Sequence, residues 1–103
     1  MILGIADSVN GVPIRLTDER WEHILDSHAE LASYRETILD AVENPDYILT
    51  SRRGAAVVVF GRKAFLHVFY VEKGRHDGFT LSARVDEKMD KAKIVWRKEN
   101  QEE

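Results

Sequence analysis

The chain contains no cysteine in its 103 residues. That excludes a disulfide scaffold, a thiolate zinc finger and catalysis by a cysteine nucleophile. Proline occurs twice and glycine six times, and neither clusters, so no linker, internal repeat or low-complexity segment divides the sequence. No apolar run approaches the roughly 20 residues needed to span a bilayer. Positive charge is not in excess either: the formal net charge is −3, which argues against nonspecific coating of nucleic acid and confines any phosphate site to a local patch. Met1 to Ala6 is too short for a signal peptide and lacks its basic flank. Together these absences predict a soluble cytoplasmic protein with no membrane association.

What is present fits one small domain. A content of 44% apolar residues suffices for a single core but not for two. We expect that domain over residues 1–98, followed by a disordered acidic tail over residues 99–103. Ile2 to Ile5 and Val12 to Leu16 read as short extended segments around an Asn10-Gly11 turn. Thr17 can cap a helix whose first turn holds Asp18 and Glu19, with Trp21, Ile24, Leu25 and His28 spaced along one face. Ser33 can cap a second helix running toward Glu43, with Tyr34, Ile38, Ala41 and Val42 inward, which Asn44-Pro45 stops. Extended segments follow at Tyr47 to Ser51, Ala55 to Phe60, Ala64 to Glu72, Phe79 to Val85 and Ile94 to Trp96. The expected fold is α+β: two N-terminal helices packed on one face of a four- to five-stranded antiparallel sheet. Trp21, Leu25, Ile38, Val42, Val58, Phe69 and Leu81 are its predicted core.

Three groups of residues could carry chemistry. His23 and His28 are five apart, so on a regular helix they point about 140° apart and cannot easily share a metal. His28 falls on the apolar stripe near the helix C-terminus, where the dipole favours an imidazolium; its plainer reading is a histidine closing the core edge, and that of His23 is solvated surface. In the fourth segment, alternation puts Thr80, Ser82 and Arg84 on one face. That is either an ordinary solvent face or a shelf of hydroxyls and a guanidinium for phosphate. His67, in phase with Phe65 and Phe69, reads as a satisfied core residue. If the strands form a simple meander, the turns bearing Arg52 and Arg53 and bearing Lys73, Arg75 and His76 gather at one sheet end, while Arg62-Lys63 and the Lys88 to Lys93 loop share the other. The glycines match no nucleotide-binding spacing and the carboxylates form no metal motif, so neither cofactor nor metal is expected.

The segments Leu16-Thr17-Asp18-Glu19-Arg20-Trp21-Glu22-His23-Ile24, His28-Ala29-Glu30-Leu31, Ile38 to Asp46, Asp77 to Arg84 and Ile94-Val95-Trp96-Arg97 together resemble the phage-type barnase-EndoU-colicin-RelE (BECR) nuclease-fold domains, and faintly the BrnT and RelE-type toxins. The chain departs from that pattern at Ser27 and Ala29, where a basic residue and a proline would flank the second histidine, and at Ala83 and Val85, where an aromatic would accompany Arg84. The resemblance implies a toxin-like or phage-associated ribonuclease that works without metal by attack of the ribose 2′-hydroxyl on the adjacent phosphate. It also implies His28, His23, Arg84, Thr80 and Ser82 as catalytic residues. Phosphate or RNA binding would fall to Arg52, Arg53, Lys73, Arg75 and His76. A catalytically silent module that binds an RNA, a cognate antitoxin or another protein partner is the alternative, and a free edge strand would permit a homodimer.

Overall fold

A computed structural model describes residues 1–51, 56–61 and 63–99. The first two strands, β1 (Ile2–Asp7) and β2 (Pro13–Thr17), form a hairpin, and Gly11 turns the chain at a positive φ of 75°. Helix α1 (Asp18–Ser27) then starts as read: the Thr17 hydroxyl accepts the Arg20 N–H at 3.3 Å. It ends one residue early, so that His28 is its C-cap at φ −141°. A 3-10 turn, Ala29–Leu31, leads to α2 (Arg35–Glu43), whose cap is Tyr34 and not Ser33; as the cap, Tyr34 precedes the helix and is exposed, not inward. Strands β3 (Tyr47–Leu49), β4 (Ala56–Phe60), β5 (Phe65–Glu72), β6 (Gly78–Asp86) and β7 (Ile94–Arg97) complete the chain.

The sheet corrects the expected architecture. It is one mixed sheet of seven strands in the order β1-β2-β6-β5-β4-β3-β7, not four or five antiparallel strands. The two helices follow the first hairpin and do not lead the fold. Burial is the reason that the hairpin joins: Ala6, Ile14 and Leu16 are buried in the main core, and a detached hairpin would leave them in water. Strand β2 pairs in parallel with β6, Ile14 beside Gly78 and Arg15 beside Phe79. A parallel neighbour needs a long crossover, which the helices and the intervening strands supply. Polar groups fasten the same junction. Arg15 holds Asp77 at 2.9 Å, and Ser8 and Asn10 of the first turn donate to the Glu72 carboxylate at 2.6 and 3.2 Å.

Both helices cover one face, where Ile24, Leu31, Ile38, Ala41 and Val42 bury against Ile14, Leu16, Val58, Leu66, Val68, Tyr70 and Ala83. Of the predicted core, Ile38, Val42 and Val58 are buried, whereas Trp21, Leu25, Phe69 and Leu81 are half-buried. The opposite face, here the open face, carries a smaller cluster of Leu49, Val57 and Val59, flanked by Tyr47, Phe65, Phe69, Met89 and Ile94. Between β6 and β7 the chain makes no hairpin. Asp86 is level with Phe65 at one end of the sheet, but Ile94 pairs with Leu49 beyond β5, β4 and β3, so residues 87–93 cross the open face. This strap is stiffened by a 3-10 turn, Lys91–Lys93, capped by Asp90, and is tied down where the Thr50 N–H donates to the Lys93 carbonyl at 2.9 Å. The Lys88 to Lys93 loop therefore spans the sheet and does not sit with Lys63 at one end.

Among the described residues no helix is long and apolar enough to cross a membrane. Glu99 is exposed, and the rest of the expected tail lies outside the described residues.

Gly78 tests the parallel junction. A Cβ there would stand 2.5 Å from Ile14 Cδ1 and 2.6 Å from the Val71 carbonyl oxygen, and the backbone contact cannot relax by a rotamer change. Gly78→Ala is expected to cost about 1–3 kcal/mol, read as a lower urea midpoint; an unchanged midpoint would mean that the β5 backbone at Val71 does not approach Gly78 this closely.

Candidate active site on the open face

One extra residue in β6 sets what the open face carries. Phe69 pairs with Ser82 and Tyr70 with Thr80, so Leu81 is a bulge residue and the alternation changes phase there. Beyond the bulge Thr80 turns with Tyr70 toward the helices and is fully buried, and among the described residues its Oγ1 has no hydrogen-bond partner. The expected three-residue shelf is thereby reduced to Ser82 and Arg84. Three cross-strand pairs then share the open face: Phe69 with Ser82, His67 with Arg84, and Phe65 with Asp86.

These rows and the strap enclose a cleft of about 590 Å³ lined by Leu49, Thr50, Ser51, Val57, His67, Phe69, Arg84, Asp86, Lys88, Met89, Asp90 and Lys93. His67 is only 4% exposed, yet it lines this cleft. Its Nδ1 lies 3.0 Å from the Phe65 carbonyl oxygen and 3.7 Å from Asp86 Oδ2. A carbonyl has no proton to give, so Nδ1 carries the hydrogen and Nε2 keeps the lone pair in the neutral ring. Asp86 also accepts from Arg84 Nε at 2.7 Å, and the Arg84 guanidinium lies 4.9 Å over the Phe69 ring. Arg84 is thus held by its inner nitrogen and its aromatic floor, which leaves the two terminal nitrogens for a ligand. Lys88 and Lys93 add positive charge from the strap, and Asp90, 3.9 Å from Lys93, offsets part of it.

The other sequence-predicted residues lie elsewhere. His23 is exposed on α1. His28 belongs to the helix layer, where its Nδ1 is 3.5 Å from the Glu30 carboxylate, and the open-face cleft does not include it. Lys73, Arg75 and His76 are exposed on the β5–β6 turn and do not line the cleft. Arg52 and Arg53 lie outside the described residues, as does Arg62. Among the described residues no three His, Asp or Glu side chains converge as a metal site. Protein-family models, curated proteins and solved structures were compared with the chain, and none matches.

Sequence reasoning overlooked His67, Asp86, Lys88 and Lys93. The hairpin itself was legible, but regular counting outward from the Lys73-to-Asp77 turn sets His67 opposite Ala83, and only the bulge brings it opposite Arg84. The contribution of the strap had no signal either, because it depends on β7 lying beside β3.

Two measurements follow from this geometry. Long-range proton–nitrogen NMR correlation should show neutral His67 protonated at Nδ1 and bare at Nε2; the reverse tautomer would break the link to the Phe65 carbonyl. Thr80→Val replaces a buried hydroxyl by a methyl of similar size, and is expected to raise stability by about 1 kcal/mol in urea unfolding. A loss of that size would reveal a partner for Oγ1.

Proposed function

We propose that the chain is a small metal-independent ribonuclease of the toxin or phage-associated type, working on the open face of its sheet. The observation that carries this reading is the His67–Arg84 pair: an oriented imidazole and an anchored guanidinium on neighbouring strands of one cleft. The resemblance of the sequence to BECR nuclease-fold domains supports the same reaction. His67, not His28, takes the acid-base role, because it shares the cleft with Arg84. On this reading His67 Nε2 accepts the proton of a ribose 2′-hydroxyl. The 2′-oxygen bonds to the adjacent phosphorus and the bond to the 5′-oxygen breaks, leaving a 2′,3′-cyclic phosphate. The leaving oxygen, on the far side of an in-line displacement, takes a proton from water. The terminal nitrogens of Arg84 stabilise the charge that builds on the phosphate, with Lys88 and Lys93 behind them, and Asp86 positions both His67 and Arg84.

Such a protein would act in the cytoplasm on RNA, and a cognate antitoxin or other protein partner would cover the same cleft. The alternative is a catalytically silent module that binds RNA or a protein there. The net charge of −3 and the carboxylate already bonded to Arg84 favour that alternative.

Cleavage of single-stranded and structured RNA by the purified protein decides between them. His67→Ala is expected to lower the rate about 100-fold or more, Arg84→Lys to lower it by losing the guanidinium fork, and EDTA to have no effect. His28→Ala should keep most of the activity; a collapse there with His67→Ala unaffected would move the chemistry to the helix layer. Folded wild-type protein with no cleavage would leave the silent module.

A further inference from the structure

A second cavity, of about 350 Å³, lies on the helix-side face of the sheet, between the β1–β2 turn and β7. Ile48, Ala56 and Trp96 give it an apolar wall, and its polar groups are Asn10, Tyr70 and Glu72. The ring of Tyr70 is packed in the core and the residue is 1% exposed, yet among the described residues its hydroxyl has no hydrogen-bond partner. The hydroxyl is not sealed in the core but opens into the cavity, where a ligand can meet it. Burial, with the negative charge of Glu72 adding to it, pushes that hydroxyl up to about 12, so it stays neutral and keeps its proton at any physiological pH.

Glu72 is built into place by neutral donors. Its carboxylate accepts the Ser8 hydroxyl at 2.6 Å and the Asn10 side-chain amide at 3.2 and 3.3 Å. Both donors are neutral, and no cation pairs with Glu72 among the described residues. Two carboxylate oxygens offer about four lone-pair positions, so the three bonds present leave capacity on Oε1. The amide that donates to Glu72 has its own oxygen as a further acceptor. The cavity thus combines one negative charge, several acceptors and an indole in its wall. Among the described residues no positively charged side chain lines it.

We propose that this cavity binds a small organic cation bearing N–H donors, of the alkylguanidinium kind. Glu72 takes the charge, Tyr70 and Asn10 accept further N–H groups, and Trp96 covers the planar or apolar part of the ligand. The site lies across the sheet from the open-face cleft, so it neither needs the nuclease reading nor shares its failure.

The test is a titration of the full chain with n-butylguanidinium and with n-butylurea, a neutral ligand of nearly the same shape. Trp96 fluorescence in a Trp21→Phe background reports on the cavity. Butylguanidinium is expected to saturate with a Kd of about 1 mM or below, within reach of a ligand this small, and butylurea to bind at least about tenfold more weakly. Glu72→Gln should abolish the preference, and Tyr70→Phe should weaken butylguanidinium several-fold, with circular dichroism confirming that each variant is folded. The ligand pair on the Trp21→Phe chain decides the matter even if a further variant fails to fold. Equal binding of the two ligands, no saturable binding of either, or an intact preference in folded Glu72→Gln would each overturn the proposal.

Discussion

The pairing of β5 with β6 runs from Phe65–Asp86 to Glu72–Gly78 with a single bulge at Leu81, and most of the molecule is arranged around it. On one side of the bulge the hairpin directs His67, Arg84 and Asp86 to the open face. On the other it turns Thr80 and Tyr70 under the helices. At its far end Gly78 lets β2 approach in parallel, and Glu72 receives the first turn. Regular pairing continued from the turn would set His67 opposite Ala83 and turn Arg84 toward the helices. The bulge therefore restores the register that lets a histidine and an arginine face the same volume.

Local features of the fold were legible in the sequence because local chemistry controls them. The Thr17 cap, the Asn10-Gly11 turn and the stop at Asn44-Pro45 all follow from how individual residues satisfy backbone groups or set φ. The parallel junction of β2 with β6 and the seat of β7 beside β3 were not legible. Each joins segments far apart in the chain, and the choice is made by total apolar burial and not by any neighbouring residue. The bulge was hidden for a related reason: alternation within β6 looks regular until the partner strand is known. His67 shows the limit of reading burial as inertness, since it is buried as expected and still lines the cleft. Arg84 and Ser82 were placed on the right face by alternation alone, and His28 was drawn inward by extending α1 one residue past its end.

The electrostatics of the cleft serve orientation more than stability. The Arg84–Asp86 pair is half-exposed, and pairs of that kind contribute about 0–1 kcal/mol. Its consequence is geometric: the carboxylate fixes the inner nitrogen of the guanidinium, Phe69 fixes its plane, and the same carboxylate sits beside the His67 ring. A side chain held from two directions loses less freedom when it meets a ligand. The cavity across the sheet uses the same device, with Glu72 held by Ser8 and Asn10 before any ligand arrives.

The strap over the open face also bears on the order in which the molecule is assembled. Leu49 meets Ile94 only after the intervening helix-covered strands have closed, and contacts between such distant segments cost the most chain entropy to form. The hairpins can zip first, leaving Leu49, Val57 and Val59 wetted until β7 docks and draws residues 87–93 across them. Completion of the cleft is thus a late event in folding, and its wall is the part of the molecule that local opening from the β7 edge would release first.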